Sequence, residues 1–146
     1  MCIRDRFDHD KRKTFFWYNR LKKKKRKKVK KNAFIPQFFQ DSFSALFFVR
    51  GLPLKKGQVY KFPVITRTKL WELKAEVVGT ENIKVKKKTV NAIKLKVETK
   101  FPGVLKKKGD INFWYSNDKQ RRLLKFNANV KIGNVVGELA DYYFEK

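Results

Sequence analysis

The sequence predicts a mainly β fold: a curved antiparallel sheet, half-barrel or barrel-like, with one short helix near residues 41–51. Three observations carry this. Apolar and polar residues alternate in several segments, most cleanly from Leu123 to Ile132. There Leu124, Phe126, Ala128, Val130 and Ile132 fall on one side and Lys125, Asn127, Asn129 and Lys131 on the other, which is the period of a strand with one buried face. Residues that bond their own backbone and tolerate turn conformations separate such segments, as in Ser116-Asn117-Asp118-Lys119. Only one stretch has convincing helical spacing.

The first elements are short. Phe7 to Arg20 reads as two strand pieces or one hairpin, with Phe15, Phe16, Trp17 and Tyr18 as its apolar part. The block Lys22, Lys23, Lys24, Lys25, Arg26, Lys27 and Lys28 repels itself and cannot be buried, so an exposed loop or a hairpin tip is expected. Ala33 to Pro36 is extended, because Pro36 biases Ile35 away from helix. A helix then starts at an Asp41 or Ser42 cap and ends at Gly51 and Pro53. Phe43, Leu46, Phe47 and Arg50 lie at i, i+3, i+4 and i+7, which predicts an aromatic side docked on the sheet, with Arg50 reaching from its end.

The remainder reads as sheet. Tyr60, Phe62 and Val64 alternate with Lys61, Pro63 and Ile65, and Pro63, with no N–H to give a ladder, suggests an edge or a bulge. Half-buried strands follow at Trp71 to Val77, Ile83 to Val85 and Ile93 to Val97, and Phe101 to Gly109 reads as a loop. Ile111, Phe113 and Tyr115 share a face, a hairpin leads into Leu123 to Ile132, and Gly133-Asn134 separates that strand from Val135 to Phe144.

Length and composition set outer bounds. The 146 residues fit one domain with a core, here 7–146, and 42% hydrophobic with 15% aromatic content is globular. Against 13 acidic residues stand 38 Lys and Arg, for a net charge of +25. Such an excess attracts nucleic acid, anionic lipid or acidic glycans, although a solvated lysine-rich surface would give the same count. Residues 1–6, Met1-Cys2-Ile3-Arg4-Asp5-Arg6, look like a translated sequencing-adapter remnant. They are left out of the fold reasoning, and the expectation is an N-terminally truncated domain whose signal peptide has been lost. Cys2, the single cysteine, goes with them.

Two motifs resemble the bacterial domain of unknown function 3108. In the C-terminal one, a strand ends in an aromatic-Ser-Asn/Asp-Asp turn, a strand closes on Ile-Gly, and a strand carries Glu-Leu; Ser116, Asp118, Gly133, Glu138 and Leu139 match it. The other is an Asp-x-x-Ser-Ala-Leu-aromatic-x-x-Arg helix with a following Gly, matched by Asp41, Ser44, Leu46, Arg50 and Gly57. The resemblance runs from about Phe7 to Phe144 and corresponds to the C-terminal two thirds of a family member. It implies a periplasmic or cell-envelope setting and a likeness to half-barrel folds that carry lipids or lipoproteins.

Function is read by elimination. His9, between Asp8 and Asp10, belongs to a turn, because neighbouring residues on a strand do not face one point. Ser42 and Ser44 have no visible base, Asp110 and Asp118 lack a second carboxylate, and no phosphate loop, zinc spacing or redox pair is present. The expectation is a protein that is not an enzyme, with no cofactor and no metal. One short helix cannot cover the apolar face of some seven or eight strands, so the sheet must curl on itself or be covered by the missing N-terminal part, and curled sheets of about eight strands hold either a packed core or one small apolar ligand. A lining of Phe43, Phe47, Tyr60, Phe62, Trp71, Phe113, Tyr115 and Phe126 would suit a lipid, with the basic face towards an anionic membrane; the plainer reading is that the same residues simply fill a core. The alternatives are nucleic-acid or polyanion binding through the lysine block and exposed Trp17, Tyr18 and Trp114, and a structural envelope domain with protein partners only.

Overall fold

The computed structural model describes residues 2–22, 25–66, 68–99, 111–130 and 133–140. The first strands are β1 (Cys2–Asp8), β2 (Lys13–Lys22) and β3 (Lys25–Phe34), which form an antiparallel sheet in that order. Residues 2–6, expected from the sequence to lie outside the fold, thus supply most of β1. Lys22 pairs with Lys25, which puts the basic block at the tip of the β2–β3 hairpin; Lys23 and Lys24 lie outside the described residues.

The second sheet is built from β4 (Gln40–Asp41), β5 (Val59–Thr66), β6 (Lys69–Val85), β7 (Lys88–Thr99), β8 (Ile111–Ser116), β9 (Leu123–Val130) and β10 (Gly133–Glu138). Its order is β10-β9-β8-β7-β6-β5-β4, open rather than closed into a barrel, and consistent with the curved sheet and single helix expected from the sequence. The described pairs are antiparallel except β4–β5, a parallel contact at Gln40↔Val64 and Asp41↔Ile65. Pro63 sits just before that pairing. The helix α1 (Ser44–Arg50) lies between β4 and β5 in sequence.

Two bulges change which side chains share a face. In β6 the register shifts between Val77 and Gly79, and Gly79 takes a φ of +145, a conformation that side chains beyond Cα disfavour. The two strand segments read from the sequence are therefore one long strand with a kink. The second shift is opposite Trp114 and Tyr115, where Trp114 pairs with Lys125 but Tyr115 pairs with Leu123. Leu124 is turned to the side of Trp114 and packs with it and Ala92, whereas alternation alone groups it with Phe126. The β9–β10 turn is also displaced: Gly133 and Asn134 already pair with Val130 and Asn129 within the ladder, and Ile132 lies outside the described residues. The Phe101 to Gly109 loop lies outside them too.

The chain clusters into two compact units, Met1–Ala45 with Phe62–Trp71, and Leu46–Lys61 with Glu72–Lys146. In the first, Ile35, Phe39 and Ile65 form a buried cluster against Phe7. The second buries Val77, Leu95, Val97 and Tyr115 on one side of the sheet. On the other, Ala92, Trp114 and Leu124 pack with Ile83, Val85, Val90 and Leu139.

Candidate ligand groove

Helix α1 begins with a reciprocal cap. Asp41 Oδ1 accepts from the backbone N–H of Phe43 and Ser44 at 2.7 and 3.1 Å, while Ser44 Oγ accepts from the Asp41 N–H at 2.8 Å. Donors that the first helical turn leaves unpaired are thereby satisfied from both directions. Asp41, rather than Ser42, is the cap; the Ser42 hydroxyl pairs with Thr66 Oγ1 at 2.9 Å.

The helix buries Ala45 and Val49, one turn apart, at 4% and 5% exposure. This corrects the expected aromatic side: Phe43 is 77% exposed and Phe47 66%. Small residues let the helix approach its neighbours closely, so the bulky rings turn outward. Leu46 is half-buried, and its carbonyl accepts a hydrogen bond from the Tyr115 hydroxyl at 3.1 Å. Burial pushes the Tyr115 phenol well above its ordinary pKa, against a smaller opposing effect of the Arg50 charge.

The β8–β9 connection is organised around Asp118. Its Oδ1 accepts from Ser116 Oγ at 2.8 Å and from the backbone N–H of Gln120 and Arg121 at 2.9 Å each. Arg122 N–H in turn donates to Ser116 Oγ at 2.8 Å, and the Arg122 guanidinium stands 3.7 Å from Asp118 Oδ2. Desolvation acts to raise the Asp118 pKa, but these hydrogen bonds and the Arg122 charge outweigh it and hold the carboxyl below its usual value.

Helix and connection are clasped by two arginines. Arg50 Nη2 donates to the Gln120 carbonyl at 2.7 Å, and Arg121 Nη1 donates to the carbonyls of Arg50, at 3.0 Å, and Leu52. Two segments some seventy residues apart, both carrying the family-like motifs, therefore meet. Between them lies an open groove of about 260 Å³ lined by Leu46, Phe47, Arg50, Arg122, Leu123 and Leu139. Leu139 is held in place by its N–H bond to the Leu124 carbonyl at 2.8 Å, and Glu138 beside it pairs with Lys125 at 2.7 Å. Leu46, Phe47, Leu123 and Leu139 make this concavity mostly apolar, with Arg50 and Arg122 also lining it, which suits an apolar chain with an anion near its end.

The eight aromatic residues expected to line one cavity do not do so. Phe47 alone reaches the groove. Phe62 and Tyr115 are packed core, 7% and 1% exposed. Phe113 is half-buried between Tyr115 and Phe126, with ring centroids 6.5 and 6.4 Å away. Tyr60 turns its hydroxyl to the Pro53 carbonyl and to Gln58 Oε1, and Trp71 is half-buried in the first unit. Phe43 precedes the helix in that unit and is exposed. The family-like residues Gly57, in a turn, and Gly133, the first residue of β10, take positive φ values of 84 and 133, a backbone role rather than a binding one.

Sequence reasoning missed Arg122, Leu123 and the clasping Arg121. The signal was Gln120-Arg121-Arg122-Leu123-Leu124, where cations and a doubled leucine interrupt the alternation. Trp114, expected to be exposed, is 8% exposed, and its indole N–H donates to Glu81 Oε1 at 2.6 Å, with Lys94 also on that carboxylate at 3.4 Å. In the β1–β2 turn, Asp8 accepts from the Lys11 N–H at 2.9 Å and the His9 ring stacks on Phe39. Among the described residues no group of three or more His, Cys, Asp or Glu could hold a metal, and no helix is long and apolar enough to cross a membrane.

No curated protein and no solved structure matches the chain. A family model does, over residues 4–140, spanning both the helix motif that ends in Arg50 and the Ser116 to Leu139 strands that clasp it. The chain therefore belongs to the family described as protein of unknown function (DUF3108).

Proposed function

We propose that this domain is a non-enzymatic cell-envelope protein that binds a single-chain anionic amphiphile in the groove between helix α1 and the start of β9. The observation that carries the reading is the pairing of Leu46, Phe47, Leu123 and Leu139 with Arg50 and Arg122 around one concavity. The hydrocarbon would lie on the leucines and on Phe47, leaving water at about 25 cal/mol per Å² of apolar surface covered. A carboxylate or phosphate at its end would meet the guanidinium groups. Arg50 has donors to spare, since a guanidinium carries five N–H groups and one of its nitrogens serves Gln120.

Size limits the ligand. About 260 Å³ is slightly below the range of about 300 to 1,000 Å³ usual for small-molecule sites, so the groove suits one chain, or part of one, rather than a whole diacyl lipid. The binding place is thus a surface groove instead of the inner face of the sheet, where Tyr115, Leu95 and Val77 are packed. The envelope setting comes with the resemblance of the two motifs. Mass spectrometry of organic extracts from gently purified protein tests the reading: a stoichiometric single-chain acid or phosphate is expected, and extracts free of any stoichiometric amphiphile would sink it.

A further inference from the structure

The three-stranded sheet has a second kind of surface. Register places Thr14, Phe16 and Tyr18 on one side of β2 with Ala33, Lys31 and Val29 of β3 opposite them. Thr14 and Phe16 are 0% and 3% exposed, so that side faces the core. The reverse side carries Lys13, Phe15, Trp17 and Asn19, opposite Phe34, Asn32, Lys30 and Lys28. Phe15 and Trp17 are half-buried and stacked, 6.0 Å apart with planes 15° from parallel. Phe34 is 63% exposed with the Arg12 guanidinium 4.9 Å from its ring centre.

We propose that this outward side of the β1–β2–β3 sheet docks on an anionic lipid bilayer. Lys13, Lys28 and Lys30 are exposed around the aromatic residues, and the hairpin continues into the basic block at its tip. The acid on this side is Asp8, opposite Lys13, and its Oδ1 is taken by the Lys11 N–H. Arg4 and Arg6 stand opposite Trp17 and Phe15, but the side is basic without them. Rings flanked by lysines match the headgroup layer of a bilayer, where aromatic side chains settle and each nearby lysine contributes about 1 kcal/mol on an anionic surface.

Single-stranded nucleic acid would also favour aromatics among cations, and the ring contacts favour the bilayer. Phe15 and Trp17 already stack on each other at 6.0 Å, which takes up the facing side of each ring. Phe34 has one ring face under Arg12. What these rings offer outward is apolar area rather than open stacking slots.

None of these residues belongs to the groove, so docking and ligand binding can fail separately. The test is co-sedimentation with phosphatidylcholine vesicles, with and without phosphatidylglycerol, for two double variants that change net charge equally. K28E/K30E removes cations from the docking side, and K87E/K88E removes them from the exposed β6–β7 turn and the first residue of β7. The expected result is binding to the anionic vesicles that falls at least about thirtyfold in K28E/K30E, from the loss of two lysines at about 1 kcal/mol each, and less than about threefold in K87E/K88E. Trp17→Ser should abolish the part of the binding that survives high salt. Equal losses in the two double variants would overturn the proposal. So would a single-stranded oligonucleotide that binds more tightly than the vesicles and shows the same K28E/K30E loss.

Discussion

The Tyr115 hydroxyl donates to the Leu46 carbonyl, joining the C-terminal end of β8 to the first turn of helix α1. Tyr115 is 1% exposed, so the bond is shielded from water. It fixes the height of the helix over the sheet, and with it the Leu46 and Phe47 wall of the groove. Tyr115→Phe should lower stability by about 1 kcal/mol, a typical net value for one hydrogen bond. Urea unfolding should show a lower midpoint with an unchanged slope.

The same phenol sets a pH dependence at the alkaline end. Its folded pKa is raised by burial above the ordinary value near 10, so the folded state keeps a proton that the unfolded chain gives up. The contribution to stability is complete below about pH 10 and is lost as pH rises further. Lysines titrate in the same range, so the measurement is a difference. Urea midpoints of the wild type and Tyr115→Phe, recorded from pH 8 upward, should converge as the wild type loses this contribution.

Gly137 lies opposite Phe126 across β9–β10, and a Cβ at 137 would run into the Phe126 ring. Gly137→Ala should therefore cost about 1 to 3 kcal/mol, as overpacking does. The cost should shrink in a Phe126→Ala background. A double-mutant cycle checks this, since additive costs would show that the ring is not what excludes the side chain.

How far the sequence was legible depended on where local pattern and tertiary pairing agree. Asp41, Ser44 and Gly51 bracket a helix by backbone chemistry confined to a few residues, and the structure has it there. The β9 alternation held from Lys125 to Ala128, but Leu124 changed sides because the register slips opposite Trp114 and Tyr115. A bulge depends on the partner strand and leaves no period of its own. Helical spacing likewise offered two apolar sides, and Ala45 with Val49 won over Phe43 with Phe47 because close approach favours small side chains. The groove was hidden for a third reason: Arg50 and Arg122 come together only through the clasp between Arg50 and Gln120.

Thr14 carries a buried hydroxyl with no hydrogen-bond partner among the described residues. Its methyl and Cβ sit in the core side of β2 at 0% exposure. Thr14→Val removes the unsatisfied group at nearly constant shape and suits a strand, so stability should rise by about 1 kcal/mol. A urea midpoint that moved down instead would mean the hydroxyl has a partner.

Ligand capture by the groove is tested most directly by titrating a fluorescent single-chain fatty acid into the whole protein and competing with dodecanoate or dodecyl phosphate. The account predicts saturable one-to-one binding, displaced by both anions and poorly by dodecanol. Phe47→Asp, at an exposed position that lines the groove, should weaken it at least about tenfold, the worth of about 1.4 kcal/mol. Binding that never saturates, or that Phe47→Asp leaves unchanged, would contradict the groove as the site.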